Sequence, residues 1–451
     1  MSVLETFEAF CGRVNLIVAI DHSGRAGNGF FQAIFDQHPQ VLTCPWMHYL
    51  YSYTETEFGS SPVLDSEKAR VFFTTSSYFR LIHSDLDQSM SGEITRFGGD
   101  PAALINRKLV QQVFRQIFAS RSEITRRDAI LAIYFSYAIG VGRSIDEFKY
   151  VLVTDAITLR TENPRTSFSG RILDRAVNDF SSVRIVQLVR DPRAGFASTN
   201  HQYVNSAGNM YGLHWGNYWD SVRRLLQYDF DWERVFVFGF LMTFFYQSYL
   251  AIERQKARYR EHIRLVRNED LNLNFAEATR SICEWLCIVP SPQWATSEYV
   301  PTMVGQLWTG TGAYNSTYQK HVYGPLQNDP QQIAKQVTGP NEYVTRRWRT
   351  RLAPHEIYLI EWVLREEIEG YGYDFVELRK ENSGWCQFLC RLLKPLRGEL
   401  PTMRWILNGR HVGWRDVADR LFFTVSFLPF YIGVRIQVYR LIRNGSIFSH
   451  K

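Results

Sequence analysis

Residues 15–39, NLIVAIDHSGRAGNGFFQAIFDQHP, decide how the rest of the chain is read. They open on Leu16-Ile17-Val18-Ala19-Ile20, with the length and β-branched content of a strand buried in a parallel sheet. Gly24, Gly27 and Gly29 make a turn. Phe30, Phe31, Ile34 and Phe35 then recur at helical spacing, and Pro39 bars the helix from continuing. Strand, glycine turn and helix in that order aim backbone N–H groups at one anion. Arg25 adds a fixed charge and a fork of donors suited to phosphate or sulfate oxygens. The first candidate binding site is therefore Ser23, Gly24, Arg25, Ala26, Gly27, Asn28, Gly29 and Phe30.

What the turn lacks narrows the anion. A Walker turn ends in Gly-Lys-Ser/Thr, the lysine for the terminal phosphates and the hydroxyl for magnesium. Here those positions read Gly29-Phe30-Phe31, so no hydroxyl is placed to hold a metal. The glycines fall as G-x-x-G-x-G, which is not the dinucleotide fingerprint. An arginine-bearing anion turn with no expected metal remains.

A second stretch, Val183-Arg184-Ile185-Val186-Gln187-Leu188-Val189, reads as another buried strand, followed by Arg190-Asp191-Pro192-Arg193-Ala194-Gly195-Phe196-Ala197-Ser198. Asp191 is a good N-cap and Pro192 a good first helical residue, which puts Arg190 where a strand ends and a helix starts. The two stretches together resemble the sulfotransferase family, whose donor is 3'-phosphoadenosine 5'-phosphosulfate (PAPS). In that family the first turn cradles the 5'-phosphosulfate. An arginine and a serine eight residues later bind the 3'-phosphate, a spacing that Arg190 and Ser198 reproduce. The family's first turn runs Lys/Arg, Ser-Gly-Thr/Ser-Thr, where this chain has Arg25-Ala26-Gly27-Asn28-Gly29, two hydroxyl donors fewer. The resemblance implies an α/β fold, a P-loop-NTPase-like parallel sheet flanked by helices.

The resemblance also directs the search for a base. Many members end the strand before the 3'-phosphate strand in Thr-His, the histidine taking the acceptor's proton; here Phe148-Lys149-Tyr150-Val151-Leu152-Val153 leads to Thr154-Asp155. Other branches place a glutamate shortly after the His-Pro that closes the first helix, about where Met47-His48 stand. His48 and Asp155 are both candidates, since a base need only be near neutrality and within reach of the hydroxyl. Further along, Val266-Arg267-Asn268-Glu269-Asp270-Leu271 resembles the family's strand and Glu-Asp-Leu, with Glu269 and Asp270 read as a helix-start charge pair. Trp308-Thr309-Gly310-Thr311-Gly312 resembles the loop that closes over cosubstrate or acceptor, and Tyr371-Gly372-Tyr373 the ending of the terminal helix.

The chain has 451 residues, 45% of them apolar and 15% aromatic, enough for one large α/β domain with elaborations. The reading is a sulfotransferase domain over 1–380, with a helical insertion at about 55–145, and a helical C-terminal extension over 381–451. Residues 41–44 are a possible second strand, and Pro45-Trp46-Met47-His48-Tyr49 then leads into a polar loop through Pro62; helical patterns follow at 67–81, 101–120 and 126–139. Aromatic and amide residues over 201–219 suit a saccharide-lined groove. The uncharged run 235–252 is read as a buried helix. Six cysteines without a signal-like N-terminus suggest a reducing, cytoplasmic setting, and the i, i+4 pairs Cys283/Cys287 and Cys386/Cys390 read as small helical core residues.

Charge is unevenly spread. Residues 383–451 carry 11 Lys/Arg against 3 Asp/Glu, a net of +8 in a chain whose total is +6. The uncharged run 421–434 is too short to span a bilayer comfortably, and Pro429 is expected to interrupt it. Aromatic, apolar and arginine-rich together suggest a segment lying peripherally on an anionic membrane, against a helical extension packed on the main domain. No nucleic-acid module is present, and no nucleic-acid partner is expected. The sequence thus points to transfer of a sulfuryl group from PAPS to a hydroxyl of a saccharide or glycolipid. A nucleotide-dependent kinase and a catalytically silent nucleotide- or membrane-binding protein stand as alternatives.

Overall fold

In the computed structural model of the chain, the apolar run at 16–20 forms the centre of a five-stranded parallel sheet. The structure describes residues 2–21, 26–48, 50–75, 104–156, 168–199, 222–223, 238, 241, 256–296, 299–308, 339–397, 399 and 414–443. They divide into two compact units.

The first unit takes in Met1–Val189, Arg258–Ala313 and Ala334–Glu342. It begins with α1 (Val3–Arg13), β1 (Asn15–Asp21), α2 (Asn28–Ile34), β2 (Val41–His48), α3 (Leu50–Phe58), β3 (Val63–Asp65) and α4 (Ser66–Thr75). Then come α5 (Arg107–Ala119), β4 (Glu123–Thr125), α6 (Arg126–Gly140), β5 (Tyr150–Ala156), α7 (Phe168–Asp179) and β6 (Arg184–Val189). The next helix, α8 (Pro192–Thr199), belongs to the second unit. The first resumes with β7 (Ile263–Arg267), α9 (Asn268–Leu273), α10 (Phe275–Leu286) and a hairpin, β8 (Thr302–Met303) and β9 (Gln306–Leu307).

The sheet order is β2-β5-β1-β6-β7, all parallel, an α/β arrangement of the P-loop-like class. Alternation along each strand sorts the core into two layers. Leu16, Val18, Ile20, Val151, Val153 and Ile185 face one way and pack with α1, α5, α6 and α7. Ile17, Ala19, Leu152, Val186 and Leu188 face the other way and pack with α2 and α10. From β1 the chain runs out to β2, returns to β5, then crosses to β6 and β7 beyond β1. Connections from β1 and β6 therefore leave to opposite sides, which marks their carboxyl ends as the place where such sheets bind ligands.

Some expectations need correction. Strand β2 does not stop at Cys44 but continues to His48, with a register shift against β5 between Thr43 and His48. Pro45, which cannot donate to a ladder, lies inside that shift. The stretch read as a polar loop holds α3, and just beyond it the short strand β3 pairs antiparallel with β4. Helix α2 ends at Ile34, well short of Pro39, and Gln37 then turns at φ 60°. Cys283 is buried, but Cys287, Cys386 and Cys390 are exposed and so are not core residues.

The second unit takes in Arg190–Ala257, Tyr314–Ile333 and Tyr343–Lys451. Besides α8, its main helices are α11 (Pro354–Val363), α12 (Trp385–Leu392) and α13 (Trp414–Arg443). Ala194, Phe196 and Ala197 of α8 share a core with Tyr358, Leu359 and Ile360 of α11, Phe388 of α12 and Phe430, Val434 and Val438 of α13. Pro429 does not interrupt α13; it sits on the helix's exposed side, where water can serve the carbonyl that loses its N–H partner. Of the run 235–252 only Phe238 and Leu241 are described, and both are buried.

Candidate functional site

The turn after β1 is built around Gly27. Its φ of 109° belongs to the left-handed region, and its carbonyl accepts the first helical bond of α2 from the Phe31 N–H at 2.9 Å. A Cβ at this position would overlap Asn268 Nδ2. Asn268, buried at the start of α9, is held in turn: Asn272 Nδ2 donates to its backbone carbonyl at 2.7 Å and to its Oδ1 at 3.2 Å. Asn272 Oδ1 accepts from the Asn341 N–H at 3.1 Å. A chain of amides thus presses one Nδ2 against the backbone of the turn, a close approach only glycine permits.

The opposite side of the turn is aromatic. Trp308 stacks on Phe30 with ring centroids 5.7 Å apart and lies 3.7 Å from where a Cβ of Gly29 would be. Trp308 directly follows the β8–β9 hairpin, whose two-residue turn holds Val304 at φ 56° and Gly305 at φ 73°. A β-branched residue in that region is strained. What holds it there is Asp36, buried after α2: its Oδ2 accepts from Thr302 Oγ1 at 2.7 Å and from the Gly305 N–H at 2.8 Å. Its Oδ1 accepts from Thr43 Oγ1 at 3.2 Å. One carboxylate therefore ties β2, the end of α2 and the hairpin together.

The base candidates lie on neighbouring strands at the same end of the sheet. His48 is the last residue of β2 and pairs in register with Thr154 of β5; Asp155 is the next residue and pairs with Ile20 of β1. In backbone register they sit one position apart on adjacent strands, and their side chains lie outside the described part of the structure. His38, four residues past the end of α2, has a different role. It is buried, accepts from the Gln40 N–H through Nδ1 at 3.1 Å, and meets the Val289 carbonyl with Nε2 at 3.0 Å. Those partners require a proton on Nε2 and none on Nδ1. Burial pushes its pKa down to about 4, with Arg143 adding to the effect.

Strand β6 ends at Val189, and the next residue is Arg190, buried, whose Nη2 donates to the Val344 carbonyl at 3.0 Å. Asp191 caps α8, accepting from the Arg193 N–H at 2.9 Å. Its carboxylate also receives Arg193 Nε at 2.9 Å and Nη2 at 2.8 Å. Arg193 goes on to Glu361 Oε1 of α11 at 2.6 Å and the Asp374 carbonyl at 2.7 Å, and its guanidinium lies 4.4 Å from the Trp348 ring centroid. Glu361 accepts from the N–H groups of Val376, Glu377 and Leu378 as well. This buried network fixes the start of the helix that carries Ser198, itself buried. Sequence reasoning missed Asp36, Arg193, Asn268 and Glu361, each of which meets a residue far away in the chain.

Ala26, Gly27, Asn28, Gly29 and Phe30 form the described part of the first turn, while Ser23, Gly24 and Arg25 lie outside the described residues. The stretch 201–219 and the loop 309–338 lie outside them too. At the start of α9, Asp270 pairs with Arg267 at 3.0 Å and Glu269 is buried. Among the described residues no group of His, Cys, Asp and Glu is arranged to hold a metal ion.

No family model and no curated protein matches the chain. Among solved structures it is similar to the sulfotransferase domain from the curacin biosynthetic pathway, at 12% identity and a TM-score of 0.41, over 81% of this chain and 100% of that one. It is also similar to the sulfotransferase domain from the Synechococcus PCC 7002 olefin synthase, at 13% identity and a TM-score of 0.39, over 81% of this chain and 97% of that one.

Proposed function

We propose that the chain is a PAPS-dependent sulfotransferase. The observation that carries this reading is the placement of two anion-binding stretches after adjacent parallel strands: the Gly27 turn after β1, and Arg190 directly after β6. Backbone N–H groups of the turn, with Arg25, receive the 5'-phosphosulfate; Arg190 and Ser198 receive the 3'-phosphate, which separates PAPS from ATP. Packing of Asn268 and Trp308 on the two sides of the turn keeps it preorganised.

In the reaction a base, His48 or Asp155, takes the proton of an acceptor hydroxyl as its oxygen bonds to sulfur. The bond from sulfur to the bridging oxygen breaks in line, and the electron pair leaves on the phosphate of 3'-phosphoadenosine 5'-phosphate. Catalysis of this kind is mostly positioning and preorganised charge. The acceptor proposed is a hydroxyl of a saccharide or glycolipid, supported by the ring and amide residues between 201 and 219.

Calorimetric binding of 3'-phosphoadenosine 5'-phosphate without metal, beside ATP with magnesium, tests the cosubstrate. Tight binding of the first alone is expected; binding of ATP alone overturns the reading in favour of a kinase. Arg190→Ala is expected to weaken the 3'-phosphorylated nucleotide by at least about ten-fold, the order of a charge-assisted hydrogen bond. Its 3'-hydroxyl analogue should be barely affected, and equal losses for both sink the role given to Arg190.

A further inference from the structure

We infer that the outward face of α13 rests on an anionic lipid surface. Along this helix Leu421, Val425, Leu428 and Ile432 are 67%, 72%, 61% and 42% exposed, although each would ordinarily be placed in a core. Their spacing of four, three and four residues puts them on one stripe, about 16 Å long at the rise of an α-helix. The opposite side is already committed. Phe430, Val434 and Val438 are buried in the second unit's core, and one turn beyond Ile432, where the exposed stripe ends, Arg435 is buried with Glu399, Nη2 to Oε2 at 2.6 Å. Arg435 also donates to the Leu392 and Lys394 carbonyls. A helix anchored this way along one side can offer only its other side to lipid. It can lie on a bilayer but not cross one, and among the described residues no helix is long and apolar enough to cross.

Charge selects the occupant. The stripe lies in a segment of net +8, with Arg440 and Arg443 exposed in the last turn of the helix and Lys394 exposed beside the anchor of Arg435. Leu393, whose carbonyl accepts from Tyr431 Oη at 2.5 Å, adds a further exposed apolar side chain. Apolar side chains entering the interface beside arginines at headgroup level are what an anionic surface binds. A second copy of the chain fits less well. A helical seam of this spacing selects its partner through charges flanking the stripe, and residues 421–434 carry none. Two such faces meeting would also bring two strongly basic segments together.

The test is co-sedimentation of the full chain with phosphatidylcholine vesicles, and with vesicles of phosphatidylcholine and phosphatidylserine at roughly 70:30. Binding to the mixed vesicles alone, weakening as salt rises, is the expected result. The double variant Val425→Asp/Leu428→Asp replaces only exposed side chains, so an unchanged circular dichroism spectrum should accompany a loss of at least about ten-fold in vesicle affinity. Arg440→Glu/Arg443→Glu, which leaves the stripe intact, should also lower affinity by about ten-fold or more. Equal binding to both kinds of vesicle, no binding by the unaltered chain, or undiminished binding by the first variant overturns the proposal. So does a dimer in sedimentation equilibrium that the first variant abolishes, since the face then belongs to a second copy.

Discussion

Gly27 shows how one residue can be demanded twice. Its φ of 109° alone would cost an alanine about 1–2 kcal/mol. The overlap of a Cβ with Asn268 Nδ2 adds to that, because Asn268 is held by Asn272 and cannot simply swing away. Gly27→Ala is therefore expected to lower the unfolding free energy by about 2 kcal/mol and nucleotide affinity by at least ten-fold. Asn268→Ala in the same background should restore part of the stability, and a double-mutant cycle in urea measures how much. Purely additive losses would mean the two residues do not meet. Gly27 was legible in the sequence as a turn glycine. Asn268 was not, because it opens α9, more than two hundred positions along the chain, and nothing in its neighbours' pattern marks it as a wall of the turn.

The elements were legible to the extent that their signals are local. Strands β1, β5 and β6 are short, mostly apolar runs, and each formed where it was read. The extension of β2 through Pro45 was hidden, since proline argues against a strand and only the register shift against β5 accommodates it. Helix α3, YSYTETEF after Leu50, has no clean apolar stripe and reads as a polar loop. The β8–β9 hairpin is the same case: Val304 at φ 56° contradicts its propensity, and only Asp36, from a different element, overrides it. Asp36→Ala would strand the Thr302 and Thr43 hydroxyls and is expected to destabilise the protein by about 2–3 kcal/mol. Because the hairpin delivers Trp308 to Phe30, nucleotide affinity should fall too. Arg126→Ala, which breaks a buried ion pair with Asp179 in the same unit, is the control: it should lower the melting temperature and leave affinity unchanged. Equal affinity losses in both variants would reduce Asp36 to a general scaffold residue.

At the scale of the whole molecule, one buried group in each unit answers to pH, and the two do so in opposite senses. In the first, burial holds His38 neutral, its pKa lowered from 6.5 to about 4. The unfolded chain then binds more protons between those values, so this contribution is complete above about 6.5 and is lost as pH falls toward 4, about 3 kcal/mol in all. In the second, burial raises the Glu356 carboxyl from 4.5 to about 7, against the pull of the Ala353 and Arg397 N–H groups it accepts from. Here the folded state binds the extra proton, so stability is greatest below about 4.5 and falls by a similar amount as pH rises through 7. The measurement is of differences between variants, which isolates each group from every other titration. Glutamine can still bridge the Gln40 N–H and the Val289 carbonyl, so His38→Gln should flatten the stability loss on going from pH 6.5 to 4. Glu356→Gln should flatten the loss on going from pH 4.5 to 7 and leave the acid limb untouched. If each variant instead shifts the whole curve evenly, neither group titrates differently in the folded and unfolded chain, and burial is not what sets the pH range of this fold.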